Sequence, residues 1–234
     1  MLTACAAIPQ DLRGKMFTFP QETISAQVRL TTSRQDLGAV TVCLRFLTDL
    51  RRTYSLFSLA TPSAFNDFLV FNQPERDVIS LDVRDKTASF LGQEYKLNVW
   101  HSLCSTWDSS SGLGQLWLDG KPSSRKFIRS GSNINGATVI VLGQEQDAYG
   151  GGFDIKQSFV GMMSDVHMWD HVLSPYGVVA FTADANSMCC HSSRSKRENV
   201  HLPARNHLSL GQADYIKAGS GSCNSLSQVL YGPS

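Results

Sequence analysis

The chain has 234 residues, of which 42% are hydrophobic and 18% are charged, a balance that supports a folded core and excludes a wholly disordered protein. Its formal net charge of +1 gives no reason to expect a nucleic acid or an anionic membrane as partner. No apolar run approaches the roughly 18 residues that a transmembrane helix needs.

The first nine residues differ in character from the rest of the N-terminal half. Residues 4–7 are small, as at a signal-cleavage site, but the segment lacks the basic start and the ~7–15-residue apolar stretch of a signal peptide. We therefore interpret residues 1–9 as a remnant leader or an extension.

Residues 26–170 contain many short strand-like segments separated by polar breaks, among them 40–46, 54–57, 68–71 and 78–83. Several of them alternate apolar and polar side chains, which is typical of a sheet packed on one face. No helical pattern lies between them. The sequence therefore predicts an all-β fold, a two-sheet antiparallel sandwich or jelly roll.

Two cysteines, Cys43 and Cys104, lie inside strand-like segments and could close a loop across the sandwich. Such a bridge would stabilise the fold by about 4 kcal/mol on the chain-entropy model. Two buried free thiols are the alternative that these residues leave open.

Two local signals lie farther along the chain. Residues 116–118 run into Asp119-Gly120, which is the strongest short signal for a hairpin turn. Residues 138–142 form a continuous apolar, β-branched run between Gly136 and Gly143, and they predict a buried strand.

An oxygen-rich segment comes directly after that strand. Glu145 and Asp147 are two residues apart, so an extended chain would present both carboxylates on one side. Glycines at 150–152 would let the backbone turn tightly and bring Asp154 and Gln157 back to them. These oxygen donors, with no Cys or His in the loop, suit calcium, which tolerates irregular sets of 6–8 ligands. A solvated acidic hairpin tip is the alternative.

The same carboxylates raise the question of an enzyme. Some jelly-roll glycosidases carry a Glu-x-Asp-x-(x)-Glu pattern, and retaining chemistry needs two carboxyl groups ~5–5.5 Å apart. The third carboxylate should fall at 149 or 150, where this chain has Tyr149 and Gly150. The chain also lacks the nucleophile-elbow, zinc-protease and phosphate-loop motifs. We therefore expect a protein that is not an enzyme.

The chain changes character after its one predicted helix. Ser174 can cap this short helix and Pro175 can occupy its first position, ahead of the apolar residues 178–181. Residues 183–234 contain no Phe and no Trp and are rich in Ser, Gly, His and Asn. We expect them to form an atypical, irregular C-terminal tail.

Four blocks in chain order resemble the pentraxin family: CSTWDSSSG at 104–112, LWLDGKP at 116–122, LGQEQDAYGG at 142–151 and MWD at 168–170. The resemblance extends over residues 10–182, which we take as one pentraxin domain. The family signature has a histidine two residues before its cysteine, whereas this chain has Ser102 there and His101 one residue earlier.

The resemblance implies a flattened jelly roll of the concanavalin and laminin-G kind with one short helix, and it implies a disulfide between Cys43 and Cys104. It also implies a secreted, extracellular protein of innate immunity, similar to acute-phase proteins. Such proteins assemble as cyclic homo-oligomers, usually pentamers, with complement components among the candidate partners. A laminin-G-like adhesion module without a ring is the alternative.

Two calcium ions, bound side by side, are implied as cofactors. The ligands of the first would include Glu145, the main-chain carbonyl of Gln146 and Asp147. Those of the second would be Glu145, Asp147, Asp154 and Gln157. The exposed metal would then meet an oxyanion of phosphocholine, phosphoethanolamine or a carbohydrate phosphate.

A second loop completes the implied site. Asn66 matches a family ligand of the first ion, and Asp67 would serve after a one-residue shift, because Phe65 stands where the family has an aspartate. Phe71 matches the aromatic ring that packs against choline methyl groups. The family's companion glutamate has no clear counterpart, since Lys86 or Thr87 lies near that position.

Overall fold

The structure is a computed structural model that describes residues 16–32, 34–187, 207–208 and 211–215. Within these ranges the chain forms one α-helix, α1 (Pro175–Ser187), and two 3-10 helices, Pro74–Arg76 and Ile155–Gln157. The strands of the same ranges are β1 (Met16–Phe19), β2 (Val28–Thr31), β3 (Asp36–Leu37), β4 (Ala39–Leu47), β5 (Tyr54–Thr61), β6 (Ala64–Gln73), β7 (Val78–Val83), β8 (Lys86–Leu91), β9 (His101–Asp108), β10 (Leu113–Leu118), β11 (Lys121–Pro122), β12 (Lys126–Phe127), β13 (Ile134–Asn135), β14 (Val139–Leu142), β15 (Gly161–Trp169), β16 (His207–Leu208) and β17 (Gly211–Tyr215).

The strands form two large antiparallel sheets. The eight-stranded sheet has the order β1-β15-β4-β9-β10-β11, with β12 beside β10 and β16 beside β15. The seven-stranded sheet has the order β17-β2-β14-β5-β6-β7-β8, and β3 and β13 pair separately. Several strands that are distant in sequence are neighbours in the sheets, as expected of a jelly roll. The predicted all-β sandwich is confirmed.

The hydrophobic core lies between the two sheets. Large side chains such as Phe46, Phe57, Leu81 and Trp107 are fully buried there, and each contributes roughly 1.5–3 kcal/mol by leaving water. The indole N–H of Trp107 donates to the carbonyl of Arg129 at 2.9 Å, so burying it leaves no polar group unsatisfied.

The two signals that precede the predicted metal loop are confirmed. Asp119 and Gly120 both have positive φ, at 50° and 75°, which is the geometry of a two-residue hairpin turn, and Leu118 pairs with Lys121 across it. The predicted strand at 138–142 is β14, which lies buried between β2 and β5.

A disulfide and α1 form a second apolar cluster on the outer face of the eight-stranded sheet. Cys43 and Cys104 are directly opposite each other in β4 and β9 and are bonded, so the bridge is confirmed and the free thiols are excluded. Their sulfurs pack with Trp117 and Val178. The hydroxyl of Ser174 accepts a hydrogen bond from the backbone N–H of Gly177, the third residue of the helix, as predicted, and the helix continues to residue 187.

Part of the expected irregular tail is regular. The strand β16 pairs with the end of β15, and β17 pairs with β2 at the edge of the seven-stranded sheet. An open sheet edge offers unpaired backbone N–H and C=O groups to any extended segment. The unusual composition of this tail therefore did not exclude pairing with the sheets. The rest of the predicted tail and the predicted leader at 1–9 lie outside the described residues. No helix of the described ranges is both long and apolar enough to cross a membrane.

The disulfide joins residues that are 61 positions apart in the chain, and its removal should therefore be costly. We expect the double variant Cys43→Ala, Cys104→Ala to lose about 4 kcal/mol of unfolding free energy relative to the oxidised protein, because the unfolded chain regains the entropy that the bridge removed. Urea denaturation measures this loss. A reducing agent should lower the wild-type midpoint and leave that of the variant unchanged. Equal midpoints for oxidised and reduced wild type would contradict the prediction.

Candidate metal centre

The outer face of the seven-stranded sheet forms the platform of the site. Asp82 on β7, Leu69 on β6, Ser58 on β5 and Val141 on β14 lie opposite one another in register and form one row across the sheet. Leu69 and Val141 are only 1% and 0% exposed, yet neither belongs to the core cluster between the sheets. We attribute their burial to the loop at 143–157, which lies over this face.

Gln146 anchors that loop to the platform. Its side-chain amide donates to the carbonyls of Ser58 and Val139 at 3.0 and 3.1 Å, and its side-chain oxygen accepts from the N–H of Gly150 at 3.0 Å. Its backbone N–H donates to the hydroxyl of Ser58 at 3.3 Å. The side chain is fully buried and hydrogen-bonded within the protein, so only its main-chain carbonyl is free to act as the predicted ligand.

The glycines give the loop its turn. Gly152 has a φ of 75°, and a Cβ there would lie 2.8 Å from the nitrogen of Ala148 and 3.0 Å from Asp147, so only glycine fits. Ala148 and Gly151 exchange backbone hydrogen bonds of 3.2 and 2.9 Å. The guanidinium of Arg29 on β2 donates to the carbonyl of Gly150 at 2.6 Å and holds the turn against the sheet.

Glu145 is the most perturbed acid of the loop. Its side chain is buried, and its Oε2 has no hydrogen-bond partner among the described residues. Burial is the largest cause that raises the pKa of Glu145 to about 7, and the nearby carboxylates of Asp147, Asp82 and Asp154 act in the same direction. The buried carboxylate of Glu145 thus lies in the field of three other carboxylates, of which Asp147 and Asp154 are exposed to solvent.

The end of the loop positions two more predicted ligands. Asp154 caps the 3-10 helix Ile155–Gln157, and one of its oxygens accepts from the N–H of Lys156 at 2.9 Å. Gln157 closes the helix, and its side-chain oxygen is buried without a hydrogen-bond partner in the described structure. Arg52 fixes the next turn, because it donates to the carbonyl of Ser158 at 2.7 Å.

The structure gives Asp67 a different partner from the one predicted. Asp67 is 0% exposed, with one oxygen 3.2 Å from the guanidinium of Arg84 and the other accepting from the hydroxyl of Thr61. Burial raises its pKa, while the hydrogen bond from Thr61 and the charge of Arg84 oppose that rise. One oxygen thus forms an ion pair with Arg84 but has no hydrogen-bond partner among the described residues, and the other is hydrogen-bonded to Thr61, so the role of Asp67 as a calcium ligand stays a prediction.

Its neighbour Asn66 keeps a side-chain oxygen that is buried without a described hydrogen-bond partner. The backbone N–H of Asn66 donates to a carboxylate oxygen of Asp85 at 3.2 Å. Phe65, at the position where the family has an aspartate, is 46% exposed and supplies no oxygen from its side chain.

Sequence reasoning predicted a ligand contact at Phe71 and did not consider Asp82. Phe71 is partly buried on β6 opposite Ser80, which makes Asp82 its diagonal neighbour across to β7. Asp82 lies far before Glu145 in the chain, and the strand register places it in one row with Leu69 and Ser58. The alternation of β7 was the available signal, because its apolar residues Ile79, Leu81 and Val83 belong to the core and thus place Asp82 on the outer face.

The donor chemistry of the loop, though not yet its arrangement, suits a hard cation. Among the described residues no group of three or more His, Cys, Asp or Glu side chains is arranged so that it could hold a metal ion. The donors here also include amide and main-chain carbonyl oxygens, and Glu145, Gln157 and Asn66 each hold a buried oxygen without a described hydrogen-bond partner. A buried polar atom without a partner is unfavourable, and a cation would provide that partner. All-oxygen donors of this kind suit calcium.

Comparison with known proteins places these features in a family. The model of the Pentaxin family matches residues 15–195. The chain is 43% identical to C-reactive protein of Sus scrofa over 166 residues, which are 70% of this chain and 73% of that protein. It is 42% identical to the mucosal pentraxin of Rattus norvegicus over 199 residues, covering 85% and 90% of the two chains.

Two further proteins support the same assignment. The serum amyloid P-component of Homo sapiens is 40% identical over 171 residues, 73% of this chain and 76% of that protein. Among solved structures, the native heptameric SAP-like pentraxin from Limulus polyphemus matches with a TM-score of 0.68 and 27% identity, over 74% of this chain and 83% of that chain. The protein therefore belongs to the pentraxin family.

Proposed function

We propose that this pentraxin is a secreted pattern-recognition protein that uses calcium to bind phosphate- or carbohydrate-bearing ligands on microbes or damaged cells. Its relatives by sequence include C-reactive protein and serum amyloid P-component, which supports a role in innate immunity and a binding rather than an enzymatic activity. The observation that carries the proposal is Glu145, buried with an oxygen that lacks a described partner and surrounded by other carboxylates.

The calcium ions would be held mainly by the loop. Its candidate donors are the carboxylates of Glu145, Asp147 and Asp154, the side-chain oxygen of Gln157 and the carbonyl of Gln146. Asn66 would add an amide oxygen, whereas Asp67 forms an ion pair with Arg84. When bound, calcium supplies positive charge at the surface to which a phosphate or carbohydrate oxygen coordinates. Arg29 and the side chain of Gln146 hold the loop in place for this purpose.

Phe71 would contact the apolar part of a ligand. It lies on the same face of the sheet as Leu69 and the loop, and it is partly exposed. An aromatic face favours the methyl groups of a quaternary ammonium such as choline. Phosphocholine and phosphoethanolamine are therefore the small ligands to try first.

We also propose a cyclic homo-oligomer, with a pentamer as the expected form. The similar pentraxin from Limulus polyphemus is heptameric, which supports a ring as the type of assembly. Several weak sites on one ring would gain roughly 10²–10⁴ in avidity on a repetitive surface. Sedimentation with and without calcium tests this assembly. A monomer that still binds calcium would favour a laminin-G-like adhesion module instead.

The first prediction for the site concerns the shared acid. We expect Asp147→Asn to abolish calcium binding, because both ions would use that carboxylate, and Asp154→Asn to weaken mainly the second ion. Titration calorimetry gives the affinity and the number of ions. Asp49→Asn, at an exposed position outside the loop, is the matched control and should bind as wild type does. Full binding by the Asp147 variant would refute the assignment.

The second prediction is a pH dependence. Calcium binds the ionised form of Glu145, whose pKa in the calcium-free protein is raised to about 7, so protons compete below neutral pH. The apparent calcium affinity should fall about tenfold from about pH 8 to about pH 6, with uptake of a proton on calcium release. Calorimetry in buffers of different ionisation enthalpy measures both. An affinity that is constant over this range would contradict the prediction.

A further inference from the structure

His101 lies on the core side of β9, one residue before the position of the family's histidine. Because side chains alternate along a strand, Ser102 shares the outer face with Cys104, and His101 projects to the opposite face. There it pairs directly with Phe46 of β4, which belongs to the core, and its side chain is only 8% exposed. The start of β9 thus encloses a titratable ring.

Both ring nitrogens of His101 face groups that accept hydrogen bonds. Nδ1 lies 2.7 Å from a carboxylate oxygen of Asp119, in the turn between β10 and β11, and Nε2 lies 2.9 Å from the main-chain carbonyl of Lys96. A neutral imidazole carries one N–H and satisfies only one of these acceptors, whereas the imidazolium carries two and satisfies both. The geometry therefore favours the charged form of the ring.

The charged groups near the ring act in the same direction. Asp119 is the charged side chain that acts on His101 in the described structure. Burial lowers the pKa of His101, but the hydrogen bonds with Asp119 and with the carbonyl of Lys96, together with the charge of Asp119, outweigh burial and raise the pKa above its ordinary value. The guanidinium of Arg45, on the adjacent strand β4, lies 3.9 Å from the carboxylate of Asp165.

His101 is one of two connections that hold the segment passing between the sheets. Residues 92–100, the crossover segment, join β8 of the seven-stranded sheet to β9 of the eight-stranded sheet. The hydroxyl of Tyr95 lies 2.5 Å from that of Tyr54 on β5, and burial raises the pKa of both phenols, so both are uncharged at neutral pH. The Tyr95 ring also packs edge-on against His101, with the ring centroids 5.4 Å apart. The carbonyl of Lys96 ties the segment to the eight-stranded sheet through His101.

We propose that His101 is a pH-sensitive switch that fixes the crossover segment to the turn at Asp119 when the ring is protonated. On deprotonation the ring keeps the N–H that faces the carboxylate, since a hydrogen bond to a charged group is the stronger one, and the carbonyl of Lys96 loses its donor. The connection is present at mildly acidic pH and weakens as the pH rises. None of the proposed calcium donors takes part, so the inference is independent of the proposed function.

Thermal unfolding of the full chain in chelator tests the switch with the variant Asp119→Asn. The Asn-Gly pair is favoured in a turn of this kind and asparagine tolerates the φ of 50°, so the fold should be kept. The new amide can donate to Nδ1 of a neutral ring, whose Nε2–H then donates to Lys96, so the variant keeps the connection without a proton from solvent. Asp77→Asn, at an exposed aspartate with a φ of 51°, is the matched control.

The stability that His101 contributes should fall as the pH rises. A histidine whose pKa is raised by folding adds stability that is fully present below its unfolded pKa of about 6.5 and is lost through the folded pKa. Relative to Asp119→Asn, the midpoint of wild type should be higher by about 2–4 °C more at about pH 6 than at about pH 9. The difference between wild type and Asp77→Asn should not change over this range. A difference between wild type and Asp119→Asn that is also constant with pH would overturn the proposal.

Nuclear magnetic resonance of labelled histidine and lysine tests the same switch in wild type alone. Above the pKa we expect Nδ1 of His101 to keep its proton and Nε2 to lose it, and the carbonyl carbon of Lys96 to change its chemical shift in the same titration. In Asp119→Asn the proton should remain on Nε2 instead. Loss of the proton from Nδ1 in wild type, or a Lys96 signal that does not follow the ring, would contradict the switch.

Discussion

One buried amide side chain determines where the loop at 143–157 lies. Gln146 is bonded through its side chain to two strands of the seven-stranded sheet and to Gly150 within its own loop. Because Glu145 and Asp147 flank it in the chain, their positions depend on this anchor. Arg29 also fixes the loop, because it holds the turn against the sheet. Gly152 makes that turn possible. The residues that hold the loop in place are thus neutral or basic, and the acids of the loop remain available to a cation.

The acids of this face fall into two groups. Asp67 is buried and forms an ion pair with Arg84. The pKa of Glu145 is raised to about 7, first by burial and then by the charges of nearby carboxylates, so its ionisation is unfavourable in the absence of a cation. Binding of calcium would remove this repulsion, so the same interaction would link loop structure, calcium and ligand. The ion-paired acid and the mutually repelling acids are different residues. The sandwich can therefore be stable although carboxylates repel one another on its outer face.

Much of this could be predicted from the sequence where the signal is local. The alternation of the strands, the cap at Ser174 and the Asp119-Gly120 turn depend on neighbouring residues, and the structure bears them out. The ion pair of Asp67 with Arg84 and the place of Asp82 in the row with Leu69 and Ser58 depend on contacts between segments that are not adjacent in the chain. The backbone pairing of β16 and β17 could not be predicted from the sequence either, because pairing at a sheet edge requires no particular side chain.

Hydrogen exchange of the loop tests most directly whether calcium holds these acids together. We predict that the backbone amides of residues 144–157 exchange more slowly with calcium than with chelator, while those of β4 and β9 are unchanged, because the ion joins carboxylates that otherwise repel one another. Magnesium, with its demand for octahedral geometry, should give little protection. Equal exchange of the loop with calcium and with chelator would contradict a calcium centre at this loop.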